Sequence, residues 1–154
     1  MTEEKRGGFW DFIKFAAIAV LIVVPIRMWI AQPFIVYGSS MEPTFKNGDY
    51  LIVDELSYRF RPPKKDEVVI FRYPLNQSVY FIKRIVGLPG ETIDVDGKKT
   101  LLKDGEYFVE GDNRDASSDS RVWGPVSKKL IVGRALVRLW PINQIQVLPG
   151  NPPY

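Results

Sequence analysis

Val79-Tyr-Phe-Ile-Lys-Arg-Ile-Val86 is the stretch whose reading settles how this chain folds. It is short and rich in β-branched and aromatic residues, the profile of a strand rather than a helix. With period two, Phe81, Lys83 and Ile85 share one face, while Tyr80, Ile82, Arg84 and Val86 share the other. Similar runs lie on both sides of it, at Tyr50–Val53, Val68–Phe71, Thr92–Val95, Tyr107–Val109 and Ile131–Leu139. Turn formers separate them: Asn47-Gly48, Pro62-Pro63, Pro89-Gly90, Asp96-Gly97 and Asp104-Gly105. Short strands at this spacing predict a mainly β domain, an antiparallel sheet or barrel. Beyond residue 36 there is no long helical period, and the chain holds no internal repeat.

Upstream the composition changes. Residues 9–36, FWDFIKFAAIAVLIVVPIRMWIAQPFIV, are dominated by apolar side chains. The uncharged run between Lys14 and Arg27 has only 12 residues, short of the roughly 18 that mark a spanning helix outright. Phe9 to Ala31, however, makes 23 residues, about 34 Å of helix at about 1.5 Å per residue. Lys14 and Arg27 lie toward its ends, where long stems reach the headgroups. Trp10 and Trp29 sit where an aromatic belt would put them, and Pro25 is tolerable near the end of such a helix. We therefore expect a short tail at 1–8, a transmembrane anchor at 9–31 and a β-rich domain at 32–154. Lys5, Arg6 and Lys14 place the tail in the cytoplasm and hence the domain on the extracytoplasmic side. A cleaved signal peptide is the competing reading, but Ala31-Gln32-Pro33 makes a poor cleavage site.

The chain has 154 residues, enough for one compact domain. Its 21 Lys and Arg against 18 Asp and Glu give a net charge of +3, too small and scattered to argue for nucleic acid. It has no His and no Cys. That excludes a Ser-His-Asp triad, thiol nucleophiles, disulfides and His- or Cys-ligated metals. Any acid–base group must be Lys, Asp, Glu or Tyr, and the nucleophile Ser or Thr.

Three polar constellations stand out against this framework. Gly38-Ser39-Ser40-Met41-Glu42-Pro43-Thr44 directly follows the apolar segment and is either a solvated linker or a tight loop presenting a hydroxyl. Lys83 is flanked on its own face by Phe81 and Ile85, so it is either an edge-strand guard or a desolvated amine of lowered pKa. Gly111-Asp-Asn-Arg-Asp-Ala-Ser-Ser-Asp-Ser-Arg121 is a solvated loop, a calcium loop or a hydrogen-bonded network that buttresses a site.

Taken together these segments resemble bacterial type I signal peptidases, membrane-bound Ser/Lys proteases that remove signal peptides. Ser40-Met41 with Pro43-Thr44 is similar to the family's nucleophile motif. Lys83-Arg84 with Gly87-Leu88-Pro89-Gly90-Glu91 is similar to its general-base motif. Gly111-Asp112-Asn113-Arg114-Asp115, then Ser117, Asp119, Ser120 and Arg121, is similar to its last motif, and Asp49–Val53 to its first core strand. The resemblance runs from about Phe34 to Pro141.

The resemblance implies Ser40 as nucleophile and Lys83 as general base, with no cofactor and no metal. It implies supporting or oxyanion roles for Gly38, Ser39, Ser117, Asp119 and Arg121. Phe34, Val36, Tyr37, Phe81 and Ile85 are the expected substrate contacts. The partners would be preprotein signal peptides, small at −1 and −3 from the cut, and the lipid bilayer of the inner or plasma membrane. Gly38 departs from members that carry a Ser there, so the oxyanion hole would rest on backbone N–H groups, chiefly that of Ser40. Only 27 residues separate Lys83 from Gly111, which implies the minimal form without a large inserted β-domain. Two other classes compete: a catalytically silent membrane-anchored binding module, and a self-cleaving Ser/Lys repressor-type peptidase. The second would need a DNA-binding helical module, for which the N-terminal region is too apolar and short.

Overall fold

A computed structural model of the chain describes residues 7–29 and 31–149. Helix α1 (Gly7–Trp29) is followed by strands β1 (Ala31–Ile35) and β2 (Tyr50–Asp54), the short helix α2 (Ser57–Phe60), and strands β3 (Val68–Tyr73) and β4 (Asn76–Gly87). A hairpin of β5 (Thr92–Val95) and β6 (Lys98–Leu101) comes next, then β7 (Glu106–Glu110), helix α3 (Ser120–Trp123), β8 (Val126–Ser127), β9 (Ile131–Trp140) and β10 (Gln146–Val147). The main sheet runs β1-β2-β9-β3-β4-β7-β8, with β10 added alongside β9 and every pairing antiparallel.

Strand β3 explains why the sheet has two cores. Its Val-Val-Ile-Phe run is continuous rather than alternating because both faces are covered. Val68 and Ile70 join Val36, Met41, Phe45, Leu51, Val53 and Ala135 in one cluster. Val69 and Phe71 join Ile85, Tyr107, Val109 and Val126 in the other. Each buried Val, Leu, Ile, Met or Phe among them stabilises the fold by roughly 1.5–3 kcal/mol. Strand β4 pairs with β3 from Arg84 back to Tyr80 and beyond, but meets β7 only from Arg84 onward. Its earlier half therefore keeps an open edge among the described residues.

All six expected strands are present, but β1, β6, β8 and β10 were not anticipated. Strand β1 contains Pro33, which a sequence reading demotes and which this position tolerates because β1 is an edge strand. The helix ends at Trp29 and β1 already begins at Ala31, so the expected anchor boundary at residue 31 falls inside the sheet. Residues 1–6 of the expected tail lie outside the described residues. Helix α1 is 23 residues long, and Phe9, Trp10, Phe12, Phe15 and Leu21 on it are all more than half exposed. Among the described residues no helix is long and apolar enough to cross a membrane. The described side chains of α1 end at Val24.

Candidate active site

Residues 36–49 leave β1 and return to β2 as a compact turn over the first core. Met41 and Phe45 are pinned beneath it, 1% and 0% exposed. The Glu42 N–H donates to the Ser39 carbonyl at 3.1 Å and the Phe45 N–H to the Met41 carbonyl at 2.9 Å. At the mouth of the turn Gly38 has φ +86°, a conformation that side chains resist. Its N–H donates to Asn47 Oδ1 at 3.0 Å. The segment is a built loop and not a linker, and it leaves Ser40 facing β4.

Lys83 answers from β4. Its Nζ lies 2.6 Å from Ser40 Oγ and 3.0 Å from the Ile82 carbonyl, and 5.4 Å from the centre of the Phe81 ring. The side chain is 4% exposed. Burial pushes the amine down to about 8, while Asp119 and then Asp112 pull it back toward the charged form.

The 111–121 loop ties the two sides together. Arg84 Nε and Nη2 grip Asp112 at 2.7 and 2.6 Å, and the Thr44 hydroxyl donates to the same carboxylate at 2.6 Å. The Asn113 N–H donates to the Ser40 carbonyl at 3.0 Å and its Nδ2 to the Ser39 carbonyl at 3.2 Å. Asp119, fully buried, caps α3 and accepts from Arg121 Nε and Nη2, each at 2.9 Å, and from the Gly111 N–H at 3.1 Å. Burial pushes its carboxyl up, but Arg121, Ser117 and the N–H donors outweigh that and bring it down to about 2. Asp112 and Asp119 are thus committed to arginines. Among the described residues no group of three or more His, Cys, Asp or Glu could hold a metal ion.

A cleft of about 400 Å³ opens over this pair. Of the expected residues, Phe34, Val36, Tyr37, Gly38, Ser39, Ser40, Phe81 and Lys83 line it, joined by Ile70, Tyr80, Ile82 and Ser118, which were not anticipated. Phe34 and Tyr80 meet edge to face across it, ring centres 5.5 Å apart. Ile85 does not belong there. It is wholly buried in the second core against Val69 and Phe71, because β7 covers β4 from Arg84 on. Asp119 and Arg121 stand behind the cleft as supports. Ser117 Oγ is buried without a hydrogen-bond partner and is not a partner of Lys83. It also helps lower the Asp119 pKa, so it faces that carboxylate without reaching full hydrogen-bond geometry. Among the described residues the Ser40 N–H meets no acceptor, whereas the Gly38 N–H is already taken by Asn47.

Comparison with known proteins identifies the family. The family described as signal peptidase, peptidase S26, matches residues 9–102 and 95–140. Signal peptidase I of Leptolyngbya laminosa is 33% identical over 92% of this chain and 85% of its own. Signal peptidase I of Bacillus caldolyticus is 32% identical over 92% of this chain and 95% of its own. Mitochondrial inner membrane protease subunit 1 of Xenopus tropicalis is 38% identical over 80% of this chain and 78% of its own. The matched residues include Ser40, Lys83 and the whole 111–121 loop, and the chain accordingly belongs to the signal peptidase family, peptidase S26, and is a serine protease.

Proposed function

We propose that this chain is a membrane-anchored endopeptidase that removes N-terminal signal peptides from exported preproteins, with Ser40 as nucleophile and Lys83 as general base. The observation that carries the reading is the 2.6 Å contact between Ser40 Oγ and a Lys83 amine that is 4% exposed. A base must be neutral before it acts. With a pKa of about 8, about one lysine in eleven is neutral at pH 7, against about one in 3,000 at the ordinary value. Arg84 cannot substitute, because a guanidinium does not deprotonate near neutral pH. Holding Lys83 in this state costs about 3 kcal/mol at about 1.36 kcal/mol per unit, and a silent binding module has no use for that cost.

Neutral Lys83 takes the Ser40 proton as the oxygen attacks the scissile carbonyl. The oxyanion forms against the Ser40 N–H, a type of donor whose removal costs about 3–4 kcal/mol in measured cases. Charged Lys83 then protonates the leaving amine and the signal peptide's new C-terminus stays esterified to Ser40. The same amine, neutral again, activates the water that releases it. The substrate lies extended in the cleft, using the open edge of β4 as a strand partner, with small side chains at −1 and −3 against Phe34, Val36 and Ile82. Tyr37 and Phe81 complete the apolar lining. Helix α1 falls short of a spanning helix in apolar length, but its bare apolar side chains make it the proposed anchor in the inner or plasma membrane, N-terminus inside and β-domain outside.

Digestion of a preprotein tests the pair. Ser40→Ala and Lys83→Ala should each remove essentially all cleavage while leaving the fold intact. The double variant should be little worse than either, because the two act as one unit. Substantial turnover by Ser40→Ala would sink the nucleophile assignment and make Ser39 the next candidate.

A further inference from the structure

One buried cation has no part in the chemistry above. Arg138, on β9, is 9% exposed and belongs to none of the three motifs. A guanidinium taken out of water is tolerated only where its nitrogens find acceptors, and here all three do. Nη1 donates to the Thr44 carbonyl at 2.8 Å and to Asp49 Oδ2 at 3.2 Å. Nε donates to the Gln144 carbonyl and Nη2 to Gln146 Oε1, both at 3.0 Å. The ring of Phe45 lies 5.8 Å away.

Two of these partners belong to the turn that carries Ser40. Asp49 is 3% exposed, accepts the Lys46 N–H at 3.1 Å and donates its own N–H back to the Lys46 carbonyl at 3.1 Å. Thr44 is gripped twice, by its hydroxyl from Asp112 and by its carbonyl from Arg138. The Phe45 N–H to Met41 carbonyl bond closes Met41–Phe45 into a single turn that begins at the residue bonded to Ser40. A shift of the Thr44 carbonyl is therefore passed to Ser40. The other two partners lie in the C-terminal segment at Gln144 and Gln146, so one fork joins that segment to the nucleophile turn.

We infer that Arg138 is a positioning residue, which fixes the Ser40 turn from β9 independently of the 111–121 loop. The inference rests on the assignment of Ser40 and Lys83. Arg138 does not line the cleft and is not among the groups that set the Lys83 pKa. Losing it should loosen the 2.6 Å contact without altering substrate binding or the basicity of the amine. A misplacement of about 1 Å costs on the order of 100-fold in rate.

The test uses the full chain in detergent or lipid with a signal-peptide substrate, comparing Arg138→Met and Arg138→Lys with wild type. Melting temperature, kcat, KM and the pH profile are measured. Arg138→Met should lower kcat about 10- to 100-fold with KM and the apparent pKa unmoved. Arg138→Lys should recover part of the loss, since an ammonium keeps the charge but not the planar fork. A folded Arg138→Met with kcat within threefold of wild type overturns the inference, as does a loss carried by KM or by a moved pKa. If Arg138→Met does not fold, Arg138→Gln takes its place on the same threefold criterion. Ser40→Ala and Lys83→Ala run alongside. If either stays active the dyad reading itself fails, whereas inactive dyad variants beside a fully active Arg138 variant overturn only the role of Arg138.

Discussion

At the scale of single residues, Lys83 trades stability for reactivity. Its pKa is lowered from 10.5 to about 8 by burial, so folding is penalised below pH 8, and the penalty fades as pH rises from 8 to 10.5. Lys83→Met should abolish cleavage and, at pH 7, stabilise the fold by about 1–3 kcal/mol. The advantage should shrink by pH 10, and denaturant titrations at the two pH values check it. A variant no more stable than wild type at pH 7 would mean that the amine is not desolvated. Asp119 and Asp112 favour the charged amine, so Asp112→Asn should move the acid limb of the rate profile to lower pH, and it should lower kcat because a neutral amide holds Arg84 and Thr44 less firmly. The sequence left Lys83 open between an edge-strand guard and a desolvated amine, and its burial at 4% exposure decides for the second. The clamp on Ser40 was not legible at all. Thr44 and Asp112 are 68 positions apart and Asn113 and Ser39 are 74 apart, and no local pattern announces a hydrogen bond across such a distance. Nor does any local pattern announce that Ser117, expected as a support, faces Asp119.

Among elements, the longer apolar runs were readable as strands, and the short or polar strands β1, β6, β8 and β10 were not. Strands β3 and β9 announce themselves by apolar runs. Strand β1 hides behind Pro33, and β6 is Lys-Lys-Thr-Leu, polar because the β5–β6 hairpin stands apart as its own two-stranded sheet. The element that matters most for chemistry is the turn 38–49, whose shape depends on its neighbours. Thr44→Val removes the donor to Asp112 at nearly constant volume and should lower kcat about tenfold, whereas Thr44→Ser should restore most of it; steady-state kinetics on one peptide separates the two. Gly111 is placed by contact rather than by backbone angle. A Cβ there would fall 2.3 Å from Ser117 Oγ and 2.4 Å from the Ser40 carbonyl oxygen, so Gly111→Ala should displace the nucleophile and cut activity by at least tenfold without unfolding the sheet. Wild-type kcat in that variant would show that the loop and turn can part without consequence.

In the whole molecule, one sheet holds the two halves of the site, Ser40 on the β1–β2 turn and Lys83 on β4, while the apolar side chains of α1 stay exposed. The β-domain holds every group of the proposed mechanism, so deleting residues 1–29 should leave a folded protein that cuts short soluble peptides at near wild-type kcat. Membrane-inserted preproteins should be processed much more slowly, since co-localisation supplies an effective concentration that the truncated enzyme lacks. Equal rates on both substrates would remove the anchor from the account. The central claim, that an uncharged Lys83 activates Ser40, is tested most directly on the intact chain in lipid vesicles, by following kcat/KM for a preprotein from pH 6 to 10. Acid charges the amine, so the rate should rise with pH through an apparent pKa of about 8. A profile that is flat across that range, or that falls steadily through it, would contradict Lys83 as the base.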